Sequence, residues 1–219
     1  MASVFSIETN IDVGNMTSVE PVVVGPLSTN AYVVCNDDGC VVVDPGDEAW
    51  KIMRALRGRK VLAVIATHLH FDHVGAVRDI VELTGAPFMV HRLDWELRDK
   101  YAELAMSWGF RAPVLPEPTF VDEGSTAPLG LRIMHTPGHS PGSISIIGDG
   151  FVLTGDTLFL GGVGRTDLPG GDNETLITSI CRLYRELPRD FVVYPGHGPP
   201  TTIGEEAENN PVVPQDLCY

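Results

Sequence analysis

Lysine is scarce in this chain: of 219 residues only Lys51, Lys60 and Lys100 are lysines, and 15 bases face 29 acids for a formal net charge of −14. A nucleic-acid binder needs a basic stripe for phosphate contacts, and none is visible, so no nucleic-acid partner is expected. The same charge argues against docking on an anionic membrane. No run approaches the roughly 18 consecutive apolar residues of a membrane helix. Met1-Ala2-Ser3-Val4-Phe5-Ser6-Ile7-Glu8 lacks the basic end and apolar run of a secretory signal. Cysteine is also sparse: Cys35, Cys40, Cys181 and Cys218 show no metal-ligand spacing. Cys35 and Cys40 flank the turn Asn36-Asp37-Asp38-Gly39, where a cross-strand bond is geometrically conceivable. The reading adopted is buried free thiols in a cytoplasmic protein. There is no internal repeat and no low-complexity segment. The sequence says nothing of oligomeric state.

What is present is a core-forming composition, 43% apolar and 20% charged, which excludes disorder as the dominant state. Residues 1–18 are weakly patterned and read as an N-terminal extension, and 19–219 as one domain. β-Rich runs occupy Val19–Val24, Ala31–Cys35, Cys40–Asp44 and Val61–Ala66, the last continuously apolar as a strand buried on both faces should be. Helical spacing covers Glu48–Leu56, Val74–Leu83 and Arg92–Ser107. Phe88–Val90 reads as a strand, and prolines 113, 116 and 118 as a loop. The second half repeats that grammar, with strands at Leu131–His135, Ser143–Ile147 and Phe151–Thr154, a helix at Glu174–Leu187 and a strand at Phe191–Tyr194. The pattern predicts an α/β fold of two mixed sheets packed together with helices outside.

His68-Leu69-His70-Phe71-Asp72-His73 follows directly on the buried strand, and four of its six positions can bind metal. In an extended segment His68 and His70 point the same way, whereas Asp72 and His73 lie where the chain turns into a helix. That division suits two adjacent metals better than one. His139 in Thr136-Pro137-Gly138-His139-Ser140-Pro141-Gly142, Asp156 after Phe151–Gly155, and His197 in Pro195-Gly196-His197-Gly198 are further candidates at strand ends and in loops. Gly161–Gly171 is glycine-rich but lacks the Lys-Ser/Thr ending of a phosphate-binding loop.

With Asn30-Ala31-Tyr32, Val43-Asp44-Pro45-Gly46, Thr154-Gly155-Asp156-Thr157-Leu158-Phe159 and Gly164-Arg165-Thr166-Asp167-Leu168-Pro169-Gly170, these motifs fall in the order found in the metallo-β-lactamase superfamily. The sequence resembles its glyoxalase II-like branch over roughly 19–211. The resemblance implies an αβ/βα four-layer sandwich. It implies a first metal on His68, His70 and His139, a second on Asp72, His73 and His197, and Asp156 bridging both. Zinc is the default expectation, with iron and manganese also compatible. Asp72 and Asp156 are the expected catalytic carboxylates, Asp44 the buried aspartate that orients the metal loop, and Arg165 and Tyr32 the substrate contacts.

Such a site would bring bound water to a pKa near 7, so that hydroxide attacks a carbonyl carbon. The expected substrates are small thioesters or esters, S-acylglutathione among them. A mononuclear iron persulfide dioxygenase on His68, His139 and Asp156 is the alternative, and a phosphodiesterase-type relative the third. The β-lactamases of the superfamily place a cysteine at the second metal, and no cysteine here sits in a matching motif. No Lys or Arg follows Arg189, so the basic C-terminal clamp of full-length glyoxalase II enzymes is missing. His91 and His135 match no ligand and are expected to be structural. Met106, Trp108 and Phe110 are compatible with either a substrate pocket or the core.

Overall fold

A computed structural model describes residues 16–218. Residues 1–15 of the expected N-terminal extension lie outside the described residues. The first sheet is a run of six strands in sequence order: β1 (Ser18–Val24), β2 (Thr29–Asn36), β3 (Gly39–Val43), β4 (Val61–Ile65), β5 (Phe88–His91) and β6 (Thr119–Val121). β1 to β3 form an antiparallel meander, and β3 to β6 run parallel. The second sheet contains β7 (Arg132–His135), β8 (Ile144–Ile147), β9 (Phe151–Gly155), β12 (Val192–Pro195) and β13 (Thr201–Thr202), in the order β13-β12-β9-β8-β7. A small hairpin, β10 (Leu158–Phe159) with β11 (Gly162–Val163), stands apart.

Period-two alternation sets the layers. In β3, Cys40 and Val42 face a core shared with Ile52 and Leu56 of α1 (Ala49–Leu56) and Ile80 of α3 (Val77–Thr84). Val41 and Val43 face the other sheet, with Ile144, Ile146 and Leu153. On the far side, Val152 and Val193 pack under Leu176, Ile180 and Leu183 of α6 (Asn173–Glu186) and Ile203 of α7 (Ile203–Asn209). The result is helix, sheet, sheet, helix, the expected four-layer sandwich. Burying one such Ile or Leu contributes about 1.5–3 kcal/mol.

Three local expectations are corrected. The helix expected over Val74–Leu83 is two pieces, α2 (Phe71–Val74) and α3, separated at Gly75-Ala76. The Asp44-Pro45-Gly46 loop forces the break: Ala76 N donates to Pro45 O (2.9 Å), and a Cβ on Gly46 would lie 1.6 Å from Asp72 O. The long helix expected over Arg92–Ser107 turns at Leu97 into α4 (Arg92–Glu96) and α5 (Arg98–Ser107), which lets Asp94 face the site loops. The cysteines are not free thiols. Cys35 and Cys40, directly opposite in β2 and β3, form one disulfide, and Cys181 in α6 forms another with Cys218. Cysteine usage therefore lends no support to a reducing compartment. No helix among the described residues is long and apolar enough to cross a membrane.

Candidate metal centre

The ends of β4, β9 and β12 and the loop after β7 converge on one cluster. His68 and His70 leave β4, and Asp72 and His73 lie in α2. His139 lies between β7 and β8, Asp156 follows β9, and His197 follows β12. Two triads result, His68-His70-His139 and Asp72-His73-His197, with the potential donor atoms within 4.8 Å of one another in each. Asp156 stands between them. Its Oδ1 is 3.3 Å from His73 Nε2, and its Oδ2 is 3.6 Å from both His139 Nε2 and His197 Nε2. Asp72 Oδ2 lies 3.2 Å from His197 Nε2. Gly196 must be glycine, because a Cβ there would meet Asp156 Oδ1 at 2.2 Å and His73 Cε1 at 2.7 Å.

Outer partners orient the rings. His73 Nδ1 donates to Asp44 Oδ2 (3.0 Å), and His139 Nδ1 donates to Arg165 O (2.7 Å). Thr67 Oγ1 donates to Asp44 Oδ2 (2.6 Å) and so is left to accept from His68 Nδ1 (3.0 Å). Each arrangement commits the Nδ1 hydrogen outward and turns Nε2 inward. Asp44 also approaches His68 and His73 closely enough to count as a third triad. Its oxygens are taken by Thr67 N, Thr67 Oγ1 and His73 Nδ1, so it supports the rings instead.

Electrostatics agree with that division. Burial, reinforced by His73 and His139, holds His68 well below the ordinary histidine range. Burial also opposes protonation of His73, but Asp156, Asp72 and Asp44 outweigh it and raise the group. Burial would push Asp156 up, yet His73, His139 and His197 hold it at about 2.

Buried polar atoms in folded proteins are nearly always partnered. His68 Nε2, His70 Nε2, His73 Nε2 and Asp156 Oδ1 are buried without a hydrogen-bond partner. These four belong to the cluster, and the fifth such atom among the described residues, the Tyr101 hydroxyl, lies on the ring that packs edge-on to His70. Imidazole with carboxylate is a donor set for borderline divalent cations. The residues present fit a pair of metal ions.

The family comparison decides what this scaffold is: the model of the metallo-beta-lactamase superfamily matches residues 24–197. The chain belongs to that superfamily. The probable metallo-hydrolase YqgX of Bacillus subtilis is 39% identical over 197 residues, 86% of this chain and 93% of its own. The hydroxyacylglutathione hydrolase GloC of Haemophilus influenzae is 34% identical, covering 89% of this chain and 97% of its own. A solved structure of TTHA1623 in a di-iron-bound form superposes with a TM-score of 0.82 at 44% identity, covering 88% of this chain and 99% of that one. Membership makes the chain a metal-dependent hydrolase of that superfamily, with the His/Asp cluster as its candidate metal site.

In this superfamily member, Tyr32 does not contact the cleft as expected. It is 3% exposed, packs edge-on to Tyr194 in the inter-sheet core, and donates its hydroxyl to Pro195 O (2.6 Å). Alternation along β2 turns it between the sheets. With Asn30, whose Nδ2 donates to Pro195 O and Gly198 O, it pins the loop that carries His197. Arg165 does line the cleft, but both its Nε and Nη2 donate to Asp167 at 2.7 Å. Trp108 lines the cleft beneath Arg165, whereas Phe110 stacks on Phe71 (4.5 Å) beside it and Met106 is exposed. His91 and His135 stack on each other at 4.2 Å, away from the cluster, as expected of structural residues.

Sequence reasoning missed Asp94. Fully buried, it accepts from Leu69 N (2.8 Å), Ser140 Oγ (3.0 Å) and Gly142 N (2.6 Å). One carboxylate thus ties the loop of His68 and His70 to the loop of His139. Its only sequence signal is an acid in the first turn of a helix, which is common on surface helices. Glu206 was missed in the same way. It accepts from Gly161 N, Thr201 Oγ1 and Asn210 Nδ2, and braces the β10–β11 hairpin against the C-terminal segment.

Proposed function

We propose that the chain hydrolyses thioesters at a two-metal centre, with His68, His70 and His139 holding one ion, Asp72, His73 and His197 the other, and Asp156 shared. The observation that carries this reading is the pair of triads joined by one carboxylate, with four partnerless buried atoms among them. Two divalent cations held there, zinc by default, would supply a nucleophile at neutral pH and polarise a carbonyl. The chain's own residues do the rest. Asp44, Thr67 and the Arg165 carbonyl fix the imidazole tautomers, and Thr29 Oγ1 donates to Asp72 Oδ2 (2.9 Å) to hold that carboxylate.

The leaving group follows from what the cleft lacks. Apart from the cluster residues, its lining among the described residues is Leu27, Phe71, Leu104, Trp108, Phe159, Val163, Leu168 and the Asp167-paired Arg165, with no further carboxylic acid there to protonate an amine. A thiolate, whose conjugate thiol has a pKa of about 8.5, needs no such acid. The name of the GloC relative supports a thioester as well. A mononuclear iron dioxygenase on His68, His139 and Asp156 would leave the second triad without a role. Two metals account for both.

The test is steady-state hydrolysis of S-lactoylglutathione and of neutral thioesters by wild type and by Asp156→Ala. Turnover by wild type, lost in the variant along with both metals, is the expected result. Oxygen uptake on a persulfide with one iron per chain, and no thioester turnover, would transfer the assignment to the dioxygenase.

A further inference from the structure

The cleft at the cluster, about 440 Å³, is walled by apolar side chains that remain accessible: Leu27, Leu104, Trp108, Phe159, Val163 and Leu168. Trp108 is 44% and Leu27 41% exposed, an unusual concentration of open apolar surface around a polar cluster. Among the described residues, no serine, threonine, asparagine or glutamine lines this cleft. Its single cation, Arg165, gives two donors to Asp167. Sites that select a hydroxylated substrate supply a partner for its hydroxyl, and apolar walls reward methylenes instead. A second cavity, about 680 Å³, adjoins across Leu27, Phe71 and Asp72. Arg78, Asp79 and Arg111 line it, which gives a polar thiol carrier a different place to lie.

We propose, building on the thioesterase reading, that the metal cleft is an acyl pocket for unsubstituted alkyl or aryl acyl groups, with Trp108 and Leu104 as specificity-determining walls and the carrier in the adjoining cavity. The acyl chain leaves the carbonyl toward Leu104, Trp108 and Leu168. A methylene buried there contributes about 0.8 kcal/mol, or about fourfold in affinity. A 2-hydroxyl placed against the Leu104, Trp108 and Leu168 wall gives up its water and meets no polar side chain there, the N–H groups that Arg165 keeps from Asp167 being the one partner outside the cluster among the described lining residues, so it weakens binding.

Two measurements separate this inference from the reading beneath it. In the first, acetyl, butanoyl and hexanoyl thioesters of N-acetylcysteamine are compared with the 2-hydroxypropanoyl and propanoyl pair. A rise in kcat/KM of about fourfold per methylene, with propanoyl ahead of its hydroxy analogue, supports the pocket. Trp108→Ser and Leu104→Ser should each flatten the rise. A flat profile in wild type, or a preference for the hydroxyacyl member, overturns the pocket. In the second, butanoate, hexanoate and octanoate are titrated calorimetrically into the metal-loaded protein, without any need for turnover. Affinity that climbs with length supports the pocket even if no thioester is hydrolysed, an outcome that would sink the hydrolase reading alone. Equal affinities overturn the pocket whatever the kinetics show.

Discussion

His73 Nδ1 donates to Asp44 Oδ2 across 3.0 Å, with both side chains almost entirely removed from solvent. Asp44 takes a left-handed backbone conformation, φ 49°, which Asn tolerates better than most residues. Asp44→Asn therefore keeps the turn but weakens the acceptor set shared by Thr67 and His73. Metal affinity or activity should fall about 10–100-fold, as for other outer partners of ligands. Equilibrium metal competition checks this, and wild-type affinity would return Asp44 to a turn role.

Asp94 predicts a different signature, because it holds two loops rather than a ring. Asp94→Ala leaves Leu69 N, Gly142 N and the Ser140 hydroxyl buried without their acceptor. At about 1–3 kcal/mol for each unsatisfied group, a loss of at least about 3 kcal/mol is expected in urea unfolding. Asp94→Asn, which keeps one carbonyl acceptor, should recover part of it. Equal stability of both variants and wild type would contradict the bracing role.

Protonation gives a third check. In the metal-free chain His73 is raised above its ordinary value, by Asp156, Asp72 and Asp44 against burial, and His197 is raised by Asp72 and Asp156. A raised histidine stabilises the folded state fully below its unfolded pKa of about 6.5, and that contribution fades as pH climbs through the folded value. His73 and His197 should thus favour the metal-free fold at pH 6 over pH 9, whereas His68, His70 and His139, held down chiefly by burial, act in the opposite sense. Loading a cation must expel those protons, so metal affinity should increase with pH. Calorimetry in two buffers of different ionisation enthalpy reads the proton release directly. Identical heats in the two buffers would be the contrary result.

The disulfides are expected to be unequal. Cys181–Cys218 closes a separation of 37 residues and secures the C-terminal segment to α6, whereas Cys35–Cys40 closes 5 within a hairpin already paired. Chain entropy assigns about 4 kcal/mol to the first and about 2 kcal/mol to the second. Cys218→Ser should lower the denaturant midpoint more than the double replacement Cys35→Ser/Cys40→Ser. The reverse order would mean that strain or packing, not chain entropy, governs them.

A candidate metal cluster is legible in sequence because metal chemistry accepts few residue types. The His68–His73 run, His139, Asp156 and His197 announce themselves by identity and by position after strands, and the layers follow from alternation in β3 and β8. What stayed hidden depends on tertiary placement. Tyr32 looks like a substrate contact within its motif, but alternation along β2 turns it into the core. Arg165 reads as a free cation until Asp167 is seen two residues away in a bidentate pair. Asp94 is one acid among several in α4 and α5, and only the meeting of two distant loops gives it meaning. β6, three residues long, carries too few positions to show a period.

The central claim is that one cluster holds two working metals. Its most direct test is thioester turnover measured while zinc is added stepwise to metal-stripped protein. The account predicts no activity without metal and a rate that levels off at two equivalents per chain. Saturation at one equivalent, or full activity without added metal, would contradict it.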